Sequence, residues 1–322
     1  MPPDPTLSGI RQAATRIADL VVHTPIVDSP GLGDGVGLKL EALQPTGSFK
    51  VRGAANRILQ MSETARRRGV VTASTGNHGR AVAHVAARLG IPAAICLSEA
   101  VPAGKVASLE ELQCELVIGG TSQDEAMDRA RSLAERGMTL VHPFDDPHVI
   151  AGQGTVALEI LADRPDTATV LVPLSGGGLA AGTLVAIKTL DPSVRVTGVC
   201  MERAAVMAAS LRAGAPVEMP EQSTLADSLQ GGIGLDNSYT FRLVRDLIDD
   251  VVLLTEPEIW AGMRYALEYH RIALEGGAAV GIGAILAGKV DIDGGTVIVC
   301  TGANLERRHL RALAEELDTA SA

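Results

Sequence analysis

Leu171-Val172-Pro173-Leu174-Ser175-Gly176-Gly177-Gly178-Leu179-Ala180-Ala181-Gly182 passes from a short apolar run, through three consecutive glycines, into small helix-compatible residues. That order reads strand, glycine loop, helix, the unit from which parallel sheets are built. Glycines at such a turn let backbone N–H groups converge on an anion, and the helix N-terminus adds its dipole, so the loop suits a phosphate. It is not a Walker loop, because no Lys-Ser/Thr pair follows the glycines. It does loosely satisfy Gly-x-Gly-x-x-Ala, and Glu202 ends the next strand where a ribose-binding acid stands, so a dinucleotide site is an open alternative. A tight turn without a ligand is the plainest alternative.

The same alternation extends in both directions. Apolar runs read as strands at 37–40, 70–73, 93–97, 115–118, 139–142, 169–173, 194–200, 250–254 and 296–300. Helical patterns lie between them at 81–89, 122–136, 155–162, 258–270 and 304–317, with loops at 31–35 and 216–222. The pattern predicts an α/β fold of parallel sheets flanked by helices. The strand-helix units over 69–145 form a candidate small domain, leaving 1–68 and 146–322 as a discontinuous larger one.

Two further strand-to-helix turns carry polar side chains. Ala73-Ser74-Thr75-Gly76-Asn77-His78-Gly79 gathers hydroxyls, an amide and backbone N–H groups at a helix start, which suits a carboxylate. Cys300-Thr301-Gly302-Ala303-Asn304 closes the last strand, and Glu275-Gly276-Gly277-Ala278 opens another helix. Taken singly, Ser74, Thr301 and Glu275 read equally well as helix caps, and His78 as a loop histidine.

The decisive addition is Thr46-Gly47-Ser48-Phe49-Lys50-Val51-Arg52-Gly53. Only five of the 28 basic residues are lysines, at 39, 50, 105, 188 and 289. Arginine therefore serves wherever charge alone suffices. A desolvated lysine can become a neutral amine nucleophile, which a guanidinium cannot. The competing reading is a surface lysine in a helix capped by Ser48. A nucleophilic lysine, a phosphate loop, a carboxylate loop and a lone hydroxyl at Thr301 together fit pyridoxal phosphate better than a nicotinamide.

Bulk properties narrow the function further. A net charge of −10 over 322 residues, with no basic cluster longer than Arg66-Arg67-Arg68, argues against nucleic-acid binding. The longest apolar run, 276–288, is shorter than the ~18 residues of a membrane span, and the N-terminus has no signal-peptide pattern. Cysteines 96, 114, 200 and 300 are scattered, as for reduced thiols, so a cytoplasmic protein is expected.

With these motifs assembled, the chain resembles the fold-type II pyridoxal-phosphate enzymes (tryptophan synthase β-like), specifically the threonine/serine dehydratases and serine racemases. The resemblance runs from about Ile10 to Leu305 and rests on 47–53, 74–79, Ala151-Gly152-Gln153-Gly154-Thr155 and 175–178 in combination. It implies two domains, a small amino-acid substrate and a homodimer. Lys50 would be the Schiff-base lysine and general base, with Phe49 beside the ring. Asn77 would bind the ring hydroxyl, and Ser175, Gly176, Gly177, Gly178 and Leu179 would hold the phosphate. Glu275 would line the cofactor, and Thr301 would meet the pyridine nitrogen. Ser74, Thr75, Gly76, Asn77 and His78, with Gln153, would take the substrate carboxylate.

Three departures from the family pattern stand out. Thr75 keeps a hydroxyl where racemases have an acid/base serine and many threonine dehydratases have alanine, so Thr75 is a second catalytic candidate and racemisation an alternative activity. Cys200, Ala204 and Val206 occupy the positions of an acidic pair that binds a divalent cation in some relatives, so no metal is expected. Ala226-Asp227-Ser228 replaces Ala-Asp-Gly. Met201-Glu202-Arg203 and 225–237 look most like hydroxyectoine-utilisation dehydratases. The chain ends at 322 without a regulatory domain, so feedback control is not expected. The expected reaction is α,β-elimination from a β-hydroxy amino acid to a 2-oxo acid and ammonia. A nicotinamide dehydrogenase and a non-catalytic cofactor-binding protein are the readings from other classes.

Overall fold

A computed structural model describes residues 3–99, 101, 106, 109, 112–121, 123–292 and 294–320. Met1, Pro2, Lys105 and Ser122, which opens one expected helix, lie outside them.

Helix α1 (Leu7–Ile17), capped by the Thr6 hydroxyl, leads into the antiparallel pair β1 (Ile26–Asp28) and β2 (Val36–Lys39), joined by the glycine loop at 31–35. Helices α2 (Lys50–Leu59) and α3 (Glu63–Arg68) follow. Next come β3 (Val70–Ala73), α4 (Asn77–Arg88), β4 (Ala93–Leu97), β5 (Glu115–Ile118), α5 (Gln123–Glu135) and β6 (Thr139–Leu140). The chain returns through α6 (Pro147–Asp163), β7 (Thr167–Pro173), α7 (Gly178–Leu190), β8 (Arg195–Met201), α8 (Val206–Ala213) and α9 (Thr240–Leu247). It closes with β9 (Asp250–Leu254), α10 (Glu256–His270), α11 (Gly276–Leu286), β10 (Gly295–Val299) and α12 (Arg307–Ala320).

Two sheets result. One has six strands in the order β1-β2-β10-β7-β8-β9, parallel except at β1, and the other has four parallel strands in the order β5-β4-β3-β6. Strands such as β3 and β4 are buried along their whole length, which is why they read as continuous apolar runs. Helix starts are defined locally. Asp146 accepts the His148 and Val149 N–H groups ahead of Pro147, and Thr255 with Glu258 makes a capping box.

The Ala151–Thr155 motif is explained by helix packing. A Cβ on Gly152 would stand 2.5 Å from the Arg52 carbonyl oxygen, and one on Gly154 would stand 2.7 Å from that of Gly182. These glycines let α6 lie backbone to backbone against α2 and α7. On the far side of α2, buried Arg52 meets Glu41 at 2.7 Å and Glu159 at 2.6 Å, and Glu159 also accepts from buried Lys39 at 2.6 Å. A buried charge set this well matched holds the helix that carries Lys50 in one register.

Candidate active site

The carboxyl ends of both sheets face a common cleft, and α2 starts there. Residues 46–49 run against 301–304. Phe49 donates its N–H to the Thr301 carbonyl at 3.0 Å, Ala303 donates to Gly47 at 2.9 Å, and Ser48 bridges Gly302. The helix N-cap is Phe49 without a side-chain bond, and the Ser48 hydroxyl is buried and unpartnered, so Ser48 is not the cap. The first residue of α2 is Lys50.

Lys50 Nζ donates to the Pro143 carbonyl at 2.8 Å and lies 5.3 Å from the Phe49 ring centroid. The other described lysines, 39, 188 and 289, each pair with a carboxylate, whereas Lys50 has none within 4.0 Å among the described residues. Burial pulls its pKa from 10.5 down to about 8, opposed by the more distant Glu275 carboxylate. The amine is thereby tuned toward its nucleophilic form near neutral pH.

The glycine loop after β7 packs on Phe144, the residue after the Pro143 that holds Lys50. Gly177 is left-handed at φ +87°, and a Cβ on Gly176 would come 2.3 Å from the Phe144 ring. Ser175 donates its hydroxyl to the Leu229 carbonyl at 2.8 Å, which holds the loop open at the first turn of α7. The first N–H groups of that helix have no partner within it, so an anion is the fitting ligand.

The loop after β3 is equally tight. Gly79 lies where a Cβ would stand 2.3 Å from the Ser74 carbonyl, and Ser74 Oγ accepts the Gly76 N–H at 3.3 Å. The N-cap of α4 is Gly76, not Ser74. Thr75 is half-buried at this turn. The His78 ring is buried and bonded through Nε2 to the Val141 carbonyl at 2.8 Å, and burial with the nearby Lys50 charge drives its pKa down to about 3. A neutral ring donating there leaves Nδ1 a bare acceptor, so only the His78 backbone N–H is suited to a carboxylate. Gln153 is buried against Gly53 with neither amide atom bonded.

Glu275 is not a side-chain cap either. Its buried carboxylate accepts from Asn77 Nδ2 at 2.7 Å, and burial with Asp227 pushes its pKa up to about 7, opposed by Asn77, Ser228 and the Asn304 backbone. Thr301 is buried beside it, and the last helix begins at Arg307, so Thr301 caps nothing. Where some relatives carry acids, Cys200 packs its sulfur 3.4 Å from Met201 Sδ, and burial pushes the thiol up to about 12.

Pro143 and Phe144 stand outside every motif, whereas Ser228 and Asn304 stand inside motifs that gave them no role. Pro143 acts through a carbonyl, which every residue has. For Ser228 the signal is its departure from the family glycine, and for Asn304 its place in the 300–304 turn. Together the residues fit a phosphorylated aldehyde cofactor. They offer a glycine turn packed too closely on Phe144 for any Cβ, an amine held by a backbone carbonyl and by no carboxylate, and orphaned buried polar atoms on Ser48 and Gln153.

The family model for pyridoxal-phosphate dependent enzymes matches residues 17–302. A protein of Sinorhizobium fredii provisionally named threonine dehydratase is 51% identical over 94% of this chain and 92% of its own. The L-threonine ammonia-lyase of Thermotoga maritima is 42% identical over 94% of this chain and 76% of its own. The structure of maize serine racemase superposes with a TM-score of 0.89 at 32% identity, covering 99% of this chain and 100% of that one. The dinucleotide alternative for the 176–181 loop falls with these matches. The chain belongs to the pyridoxal-phosphate dependent enzymes of fold type II, in the group of threonine/serine dehydratases and serine racemases.

Proposed function

We propose that this lyase catalyses α,β-elimination from a β-hydroxy amino acid, yielding a 2-oxo acid and ammonia. The observation that carries it is Lys50, an amine with a pKa of about 8, held by the carbonyl of Pro143 next to Phe144, the residue on which the 176–178 glycine turn packs. Bound pyridoxal phosphate supplies the electron sink that makes the substrate α-proton removable.

The chain's own groups do the rest. Lys50 would hold the cofactor, and its amine, with a pKa of about 8, would accept the substrate α-proton as a general base. Phe49 flanks the ring. The N–H groups of 176–179, with Ser175, hold the phosphate. Thr301 offers the pyridine nitrogen a neutral hydroxyl, where an aspartate would keep that nitrogen protonated. That neutral partner would suit elimination over transamination, the β-hydroxyl leaving as water with a proton from the cofactor phosphate or a bound water. The N-terminus of α4 at Ser74 to His78 orients the substrate carboxylate, and the Gln153 amide supplies a further polar partner. Asn77, steadied by Glu275, meets the ring hydroxyl. Residues 69–145 form the small domain, and the active form is a homodimer, as the family resemblance implies.

Threonine and serine are the first substrates to try, given the relatives' names. A hydroxylated diamino acid from hydroxyectoine breakdown is the finer proposal. It is supported by the likeness of the 225–237 stretch to hydroxyectoine-utilisation dehydratases, a stretch that reaches the site where the Leu229 carbonyl accepts from Ser175. A second reading, racemisation, is favoured by the Thr75 hydroxyl at the substrate loop.

The test is a panel of β-hydroxy amino acids, 3-hydroxyaspartate included, with 2-oxo acid and ammonia measured and the remaining substrate resolved by chiral chromatography. No 2-oxo acid from any member would overturn the elimination reading. Thr75→Ala is expected to abolish any racemisation and spare elimination.

A further inference from the structure

Asn304 lies on an exposed stretch after β10, yet it is bonded on both sides. Its Nδ2 donates to the Thr46 carbonyl at 3.0 Å and to Asn77 Oδ1 at 2.6 Å. Asn77 in turn donates from Nδ2 to Glu275 Oε1 at 2.7 Å. These bonds have a forced direction. A backbone carbonyl only accepts, so Asn304 faces Thr46 with its nitrogen. That nitrogen's second hydrogen then requires an acceptor, so Asn77 faces Asn304 with its oxygen. The Asn77 nitrogen is thereby turned to Glu275 with one of its two hydrogens still uncommitted.

Two features show that the relay is built rather than incidental. Gly47 adopts φ +71°, and a Cβ there would stand 2.9 Å from Asn304 Oδ1, so the Gly47 that precedes Lys50 also seats Asn304. The Glu275 backbone N–H donates to the Gly302 carbonyl at 3.2 Å, which ties the Glu275 end of the relay to the same loop after β10. Its members come from 46–47, from the start of α4, from the start of α11 and from the loop after β10, so it ties the small sheet's helix to the large sheet's cleft.

We propose that Asn304 is a positioning residue for Asn77: it sets the flip and rotamer of the Asn77 amide so that one N–H remains directed to the cofactor's ring oxygen. This rests on the reading that Asn77 meets that ring. Without Asn304, the Asn77 amide can turn over and present its oxygen instead, which suits the protonated ring hydroxyl rather than the ionised one. Cofactor affinity and the position of its visible absorbance band both follow from that choice.

The experiment is a double-mutant cycle on the stripped enzyme titrated with pyridoxal phosphate, reading the dissociation constant and the absorbance maximum of the bound cofactor. The proteins are wild type, Asn304→Ala, Asn77→Ala and the double variant. Asn304→Ala is expected to weaken binding about fivefold, the worth of one lost neutral hydrogen bond, and to move the band. The same change made in the Asn77→Ala background is expected to do nothing further. An Asn304→Ala protein with unchanged affinity and band overturns the proposal, as does an effect that persists in full without Asn77, the signature of a merely structural role. An Asn77→Ala protein that binds and absorbs as wild type refutes the parent reading of Asn77 instead. The exposed position of Asn304 keeps the fold intact, which a thermal melt of each variant verifies.

Discussion

Replacing Lys50 with methionine is expected to stabilise the cofactor-free protein while abolishing turnover. Methionine keeps the stem that lies along Phe49 and removes only the charge. A lysine whose pKa is held at about 8 instead of 10.5 is about 3 kcal/mol less favourable, protonated, in this cleft than in the unfolded chain. Against that gain stands the Pro143 carbonyl, left without its 2.8 Å donor at a cost of about 1 kcal/mol. The net expectation at neutral pH is roughly 2 kcal/mol in favour of Lys50→Met. The sign has a pH signature. The unfolded chain binds more protons than the folded one between about 8 and 10.5, so wild-type stability rises with pH across that window while the variant stays flat. Urea unfolding of both stripped proteins at about pH 7 and about pH 10.5 measures it, with the advantage expected to vanish at the higher pH. A variant that is less stable at neutral pH, or an advantage independent of pH, would show that the amine is not desolvated as argued.

Four further outcomes are expected. Gln153→Met relieves a buried amide with no partner, raising stability by about 1–2 kcal/mol in thermal melts while raising KM with little change in kcat. Gly176→Ala drives a Cβ into Phe144, costing about 1–3 kcal/mol and weakening cofactor uptake in a fluorescence titration. Arg52→Ala strands buried Glu41 and the largely buried Glu159, so urea unfolding should report a loss of about 3–5 kcal/mol. The folded Glu275 holds its proton up to about 7 and the unfolded one releases it near 4.5. The folded state therefore binds more protons in that window, and stripped-protein stability contributed by this group falls as pH rises through it. Glu275→Gln should flatten that part of the stability profile.

The strands legible in the sequence are short β-branched apolar runs, whether buried throughout as in β3 and β4 or lying at a sheet edge as in β5 and β9. The expected strands at 70–73, 93–97, 115–118 and 250–254 coincide with β3, β4, β5 and β9. Strand β1 spans three residues at a sheet edge, too short for any period to show. The strand expected at 139–142 stops at Leu140, because His142 Nδ1 turns back to accept the Phe144 and Asp145 N–H groups. The helix expected from Asn304 starts at Arg307, since Ala303 and Asn304 are already bonded to Gly47, Thr46 and Asn77. Helices α3, α8 and α9, of six to eight residues, and the longer α1 fall outside the expected helices.

What the sequence determined by itself is local. The glycine turns, the lysine behind Gly-Ser-Phe and the apolar strands are each decided within a few residues by backbone sterics and burial pattern. The tertiary structure decided which of them meet. Lys50 finds Pro143 across 93 residues, Asn77 finds Glu275 across 198, and Asn304 finds Asn77 across 227. It also decided the chemistry of those groups, because an amine near 8 and a carboxyl near 7 are products of desolvation by neighbours distant in the chain. The Pro143 carbonyl that holds Lys50 is a backbone atom with no side-chain signature, visible only once the two sheets bring their carboxyl ends together.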